Sequence, residues 1–127
     1  MPESTAQQQL EVAPLRITAM TARPTGPPPS FASFREFYPY YLEQHRNPVS
    51  RRLHVIGTLL AIGCAAAALI SGRWQVLLAV PLAGYGLAWA GHWLFEHNSP
   101  ATFANPLYSL RGDLTLLGEV LSGRRRW

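Results

Sequence analysis

Two uncharged apolar runs separated by three residues restrict this chain more than anything else in it. Val55 to Ile70 reads VIGTLLAIGCAAAALI and Trp74 to Phe95 reads WQVLLAVPLAGYGLAWAGHWLF, with only Ser71, Gly72 and Arg73 between them. Counted from Pro48, the first run makes a helix of about 23 residues spanning roughly 34 Å, enough to cross a hydrocarbon core. The second is of similar length, and so short a link makes the pair a helical hairpin. A mean hydropathy of +0.02 does not contradict this, because polar ends dilute the two apolar segments. The competing arrangement is a soluble bundle with a buried Ala-rich hairpin; run length favours spanning. The expected class is therefore all-α, an integral membrane hairpin with helices flanking it.

The rest of the chain sets the boundaries. Residues 1–30 hold six of the eleven prolines, several Gln, Ser and Thr, and no apolar periodicity, so they read as a disordered tail. Met1 to Pro14 lacks a basic start and an apolar stretch, so no cleaved signal is expected. Residues 31–123 then form one membrane helical domain, and 124–127 a short basic tail. The net charge of +4 is carried by arginine alone. Arg46, Arg51 and Arg52 precede the hairpin, and Arg111 and Arg124 to Arg126 follow it, whereas only Arg73 marks the turn. The positive-inside rule puts both termini on the cytoplasmic face, and the arginines suit anionic headgroups. Cys64, the single cysteine, sits in an apolar run and excludes disulfide frameworks.

Two shorter helices are expected beside the hairpin. Ser33 to Glu36 matches a capping box, after which Phe34, Tyr38, Tyr41 and His45 recur at helical spacing. Pro39 should bend or restart this helix, since it lacks a donor and clashes with the carbonyl of Arg35. Asn105-Pro106 repeats the start signal of Asn47-Pro48. Leu107, Leu110, Leu114, Leu117 and Leu121 then draw an apolar stripe, fit to lie on a membrane or on the hairpin. Gly112 and Gly118 weaken that helix in isolation and call for tertiary support.

The four histidines gather at one end of this plan. His54 lies six residues after Pro48, and His92 six before Asn98, with Pro100 expected to stop the second helix; both lie about 9 Å inside their helices. His54 shares a face with Gly57, Thr58, Ala61, Ala65 and Ala68, and His92 with Ala88, Gly84 and Tyr85, small faces that let helices approach. The two imidazoles are expected to point at each other, with His45 folded over them. Glu96 falls on the face of His92, whereas His97 is offset and reads as a solvated helix-end residue. Ionisable groups at membrane depth are costly and usually functional, so the convergence suggests a metal or proton-handling site.

The segments FYPYYLEQHRNPVSRRLHVIGT and GYGLAWAGHWLFEHNSPATFANPLYSLRGD, with the apolar stretches between them, resemble the 2-hydroxy-palmitic acid dioxygenase-like membrane family, first catalogued as a domain of unknown function. The resemblance covers about Phe34 to Gly123. It implies an iron(II)-dependent, membrane-embedded enzyme of fatty-acid α-oxidation that uses O2 to shorten a 2-hydroxy fatty acid by one carbon, here in a bacterial inner membrane. Carried over by position, the family's histidines fall on His45, His54 and His92 and its acidic position on Glu96; His97 lies outside the pattern. Neutral imidazoles with a carboxylate leave open positions on iron(II), where a 2-hydroxy acid can chelate. Arg51 or Arg52 would orient the substrate carboxylate, and Asp113 a histidine ring.

Other classes stay open on sequence grounds. His54 and His92 at matched depth also suit axial haem ligation in an electron-transfer protein. A non-enzymatic membrane hairpin needs the histidines only as hydrogen-bonding groups. Nucleic-acid binding is not expected, because the basic residues sit at membrane edges without a binding motif. Hydrolase triads and phosphate-cradling loops are absent, the hairpin glycines lying inside apolar helices.

Overall fold

The computed structural model describes residues 29–127, so the expected tail lies outside the described residues except for Pro29 and Ser30. The described residues are all-helical: α1 (Phe34–Glu43), α2 (Pro48–Ser71), α3 (Trp74–Glu96) and α4 (Pro106–Leu121), with a 3-10 turn at Ala101–Phe103 before α4.

Helix α1 starts as the sequence suggests. The Ser33 hydroxyl accepts from the Glu36 N–H at 3.3 Å, and the Glu36 carboxylate accepts from the Ala32 N–H at 3.3 Å, a reciprocal cap displaced by one residue. The expected restart at Pro39 does not occur: α1 runs through it.

The hairpin α2–α3 is packed through small residues. A Cβ on Gly57 would lie 3.1 Å from the carbonyl oxygens of Ala83 and Gly84, and one on Gly91 3.0 Å from Ser50 Oγ. Asn47 caps α2 by accepting from the Val49 N–H at 2.9 Å, and Gly72 ends it at φ 66°, the left-handed region glycine enters without a Cβ penalty. Away from these contacts the hairpin is apolar and open: Leu60, Leu69, Ile70, Leu78 and Leu82 are exposed, Ile70 at 88%. Both helices are long and apolar enough to cross a membrane, and less than a third of either apolar window is buried in the protein. The core helices of a soluble bundle bury such side chains, whereas most of these face outward.

Three expectations need correction. Helix α3 is not one regular α-helix: it opens as a 3-10 turn at Trp74–Leu78, is α-helical over Ala79–Gly91 and closes with a π turn at His92–Glu96. It stops at His97, in the left-handed region at φ 55°, one residue before the Asn98 stop expected from Pro100, and the Asn98 N–H reaches back 3.2 Å to the His92 carbonyl, wrapping the chain around the helix end. The Asn105 side chain does not cap α4, although the helix begins where expected; its amide donates to the Pro29 carbonyl at 3.5 Å instead.

Of the two placements the sequence leaves open for the leucine stripe of α4, most of it takes the outward one. Leu107, Leu110, Leu114 and Leu121 are exposed and only Leu117 is buried, while Ser109, Gly112 and Leu116 turn inward. The reason is Gly112: a Cβ there would meet the Tyr41 ring at 2.8 Å, so aromatic α1 seats directly on the α4 backbone. The core formed this way comprises Phe37, Tyr41, Val55, Ala101, Leu116 and Leu117, beside the histidine end of the hairpin. Gly118 has no such neighbour. Beyond α4 the basic tail folds back, with Arg125 Nε donating to the Glu119 carboxylate at 2.6 Å.

Candidate metal centre

Three chain segments deliver three imidazoles to one point. His45 follows α1 just after its C-cap, Gln44; His54 lies in the second turn of α2; His92 opens the π turn that ends α3. All three are at most 5% exposed. One ring nitrogen from each lies within 4.8 Å of the other two, and the Nε2 atoms of His45 and His54 are 3.0 Å apart. Two nitrogens about 2.1 Å from a shared cation and at right angles to it lie about 3.0 Å apart, so this spacing is that of neighbouring ligands.

The outer nitrogens settle the tautomers. His45 Nδ1 faces the Tyr41 carbonyl, His54 Nδ1 lies 2.8 Å from Asp113 Oδ1, and His92 Nδ1 lies 2.7 Å from Asn98 Oδ1. A carbonyl and a carboxylate only accept, so the first two Nδ1 atoms carry hydrogen. The third depends on which way the Asn98 amide points. Its Nδ2 donates to the Gln44 carbonyl and to Gln44 Oε1, both at 3.0 Å, so its oxygen faces His92 and His92 Nδ1 is also protonated. In the neutral rings, every Nε2 therefore presents a lone pair inward. Three lone pairs converging without a donor repel one another, and a cation among them removes the conflict.

The electrostatics agree. Burial first, and then the neighbouring His54 and His92, hold the His45 imidazole well below its usual pKa, so it stays neutral, as a ligand must. The Tyr41 phenol is pushed well above its ordinary value, chiefly by burial and then by Asp113, and remains a donor to that carboxylate. Tyr41 thus serves two ligands, accepting from His45 through its carbonyl and steadying the Asp113 oxygen that receives His54.

The other residues singled out by sequence occupy different places. Asp113 stands directly behind His54. Glu96 does not join the three histidines: its carboxylate accepts from the Asn47 N–H at 2.7 Å, clamping the start of α2 to the end of α3. Arg51 donates to the carbonyls of His45 and Arg46 at 3.1 and 2.8 Å, bracing the ligand loop, and Arg52 is exposed. His97 is exposed and caps α3.

Sequence reasoning missed Tyr41, Gln44 and Asn98 as parts of the site. Tyr41 lies four residues before His45 on one helical face, a spacing that marks packing and the family resemblance without assigning the tyrosine a role at the site. Asn98 was read only as a helix end, and an asparagine just past a buried helix-end histidine is the signal that was available.

The donor set could hold a first-row transition metal: three imidazole nitrogens with their outer N–H groups anchored leave further coordination positions open. Over residues 31–125 the chain matches the family described as 2-hydroxy-palmitic acid dioxygenase Mpo1-like, and it belongs to that family. No curated protein and no solved structure matches it.

Proposed function

We propose that this Mpo1-like chain is an iron(II)-dependent dioxygenase of fatty-acid α-oxidation, shortening a 2-hydroxy fatty acid by one carbon with O2. The observation that carries the reading is the set of three buried Nε2 lone pairs, each fixed by an oxygen acceptor on the far side of its ring. His45, His54 and His92 hold the iron, which when bound supplies the means to activate O2 beside a chelating 2-hydroxy acid. Asp113 and Asn98 fix the rings of His54 and His92. Arg51, whose Nε is buried without a protein partner, is the group we assign to the substrate carboxylate. Exposed Arg52 supports the membrane edge. Glu96 acts by holding the two helix ends that carry His54 and His92.

Haem ligation is disfavoured by the same geometry. The His45 ring sits 4.2 and 4.5 Å, centre to centre, from those of His54 and His92, in the space a macrocycle would need. In this reading the hairpin crosses a bacterial inner membrane with both termini and the histidines on the cytoplasmic side, supported by the outward apolar surface and the arginine asymmetry.

The test is elemental analysis of the detergent-purified protein together with aerobic turnover of 2-hydroxypalmitic acid. One iron per chain and formation of the acid one carbon shorter are expected, both sharply reduced in His45→Ala, His54→Ala and His92→Ala. Absence of stoichiometric metal from active protein, or normal turnover by the triple variant, would refute the reading.

A further inference from the structure

A groove of about 420 Å³ runs between α2, α3 and α4, a size typical of small-ligand sites. One end is polar and belongs to the histidine site: Thr58 and Asp113 line it, and both are bonded to His54, Thr58 Oγ1 donating to its carbonyl at 2.8 Å and Asp113 accepting from its ring at 2.8 Å. From there the lining is apolar. Ala61 lies against Gly84, so along the antiparallel hairpin Ala65 comes one turn further from the histidines, beside Val80 and Pro81. His54 to Ala65 is eleven residues of helix, about 16 Å of rise.

Two features of the fold create this groove. Its floor is made of small residues, Ala61, Ala65 and Gly84, and its wall is the pair Leu110 and Leu114, from the stripe that does not enter the core. Several lining residues are themselves exposed, so the groove opens sideways along the apolar span. A channel polar beside a three-histidine centre and apolar for about the next two helical turns matches an amphiphile with its head at that centre. A bilayer lipid could lay a chain along the same span but brings no 2-hydroxy acid head to the histidines.

We infer that the groove takes the acyl chain of the 2-hydroxy acid and that Ala65, with Val80 and Pro81 opposite, limits the chain length accepted. This rests on the dioxygenase reading and names residues that would set its specificity. Ala65 is half-buried at an open surface, so a larger side chain there projects into the groove away from the helix contacts at Gly57 and Gly91, whereas Ala61 lies against Gly84 and a larger side chain there presses on α3 as well.

The experiment is displacement of a fluorescent fatty acid from iron-loaded, full-length protein in detergent by 2-hydroxypalmitic and 2-hydroxyoctanoic acids, which needs no turnover. Ala65→Phe should weaken the long acid by about tenfold or more, the worth of two or more displaced methylenes, and leave the short acid unchanged. Ala61→Phe, nearer the histidines, should weaken the long acid at least as much. Leu69→Phe, on the lipid-facing surface, should change neither. Iron content and thermal midpoint equal to wild type establish that the variants are folded. If folded Ala65→Phe binds both acids as wild type does, or loses both equally, the groove assignment is overturned. If wild type turns over no 2-hydroxy acid, the dioxygenase reading fails, and the displacement series still decides the groove.

Discussion

The two ends of the hairpin are built on opposite terms. At the histidine end the side chains are buried, polar and directed: each imidazole has one oxygen partner, and Tyr41, Asp113, Asn98 and Gln44 hold those partners in turn. At the Gly72 turn the side chains are apolar and outward, with Leu69 at 81% and Ile70 at 88% exposed and Trp74, Leu77 and Leu78 around them. Burial of a polar group demands a particular partner, whereas burial of an apolar one demands only a non-aqueous surrounding. One end is therefore specified by the protein and the other by whatever solvates it.

If that contrast is right, the greatest sensitivity lies behind the ligands. Asp113→Ala removes the acceptor for His54 and for the Tyr41 hydroxyl together, and should weaken metal binding by about 10- to 100-fold in an equilibrium titration. Unchanged affinity would mean that the carboxylate does not orient the ring.

Next comes the seat of α1 on α4. Gly112→Ala places a methyl 2.8 Å from the Tyr41 ring, and should cost about 1–3 kcal/mol in denaturant unfolding, with metal affinity falling as Tyr41 shifts. The same substitution at Gly118, which has open space, should be neutral or slightly stabilising.

Acid should act on the histidine end. The His45 pKa is depressed in the fold below its usual 6.5, so between that depressed value and about 6.5 the unfolded chain binds more protons than the folded one. Stability of the metal-free protein should therefore fall as pH drops through about 6.5, by at most about 2 kcal/mol at about pH 5 from this residue, and level off only below the depressed value. Thermal midpoints recorded from about pH 8 downward test the sign; a midpoint that rises on acidification contradicts it.

The smallest effect belongs to the turn end. Leu69→Ala should change stability by no more than about 0.5 kcal/mol and leave metal binding intact, because its side chain meets solvent or lipid and no protein partner fills with it. A large loss there would show that a second chain covers this surface.

Much of this contrast was legible in the sequence because it rests on local rules. Charge-free runs, the Asn47-Pro48 start, the capping box and Gly72 each act within a few residues, and each stands where the pattern placed it. The position of Glu96 was not legible: four residues after His92 implies a shared helical face, but which group the carboxylate meets there, the Asn47 N–H, is decided by how the start of α2 packs on the end of α3. Nor was the outward rotation of the leucine stripe, since periodicity finds an apolar face without saying whether protein or lipid receives it.

By itself the sequence determined an all-helical chain, a hairpin long and apolar enough to span a membrane, and a gathering of histidines at its charged end, because run length, caps and helical rise are properties of one segment at a time. Only the tertiary structure decided which oxygen each imidazole faces, that Tyr41 serves two of them, that Glu96 clamps helix ends, and that a groove leads away from His54. These depend on the mutual rotation of four helices, and that rotation is set where side chains vanish, at Gly57, Gly91 and Gly112, so that one backbone can rest against another.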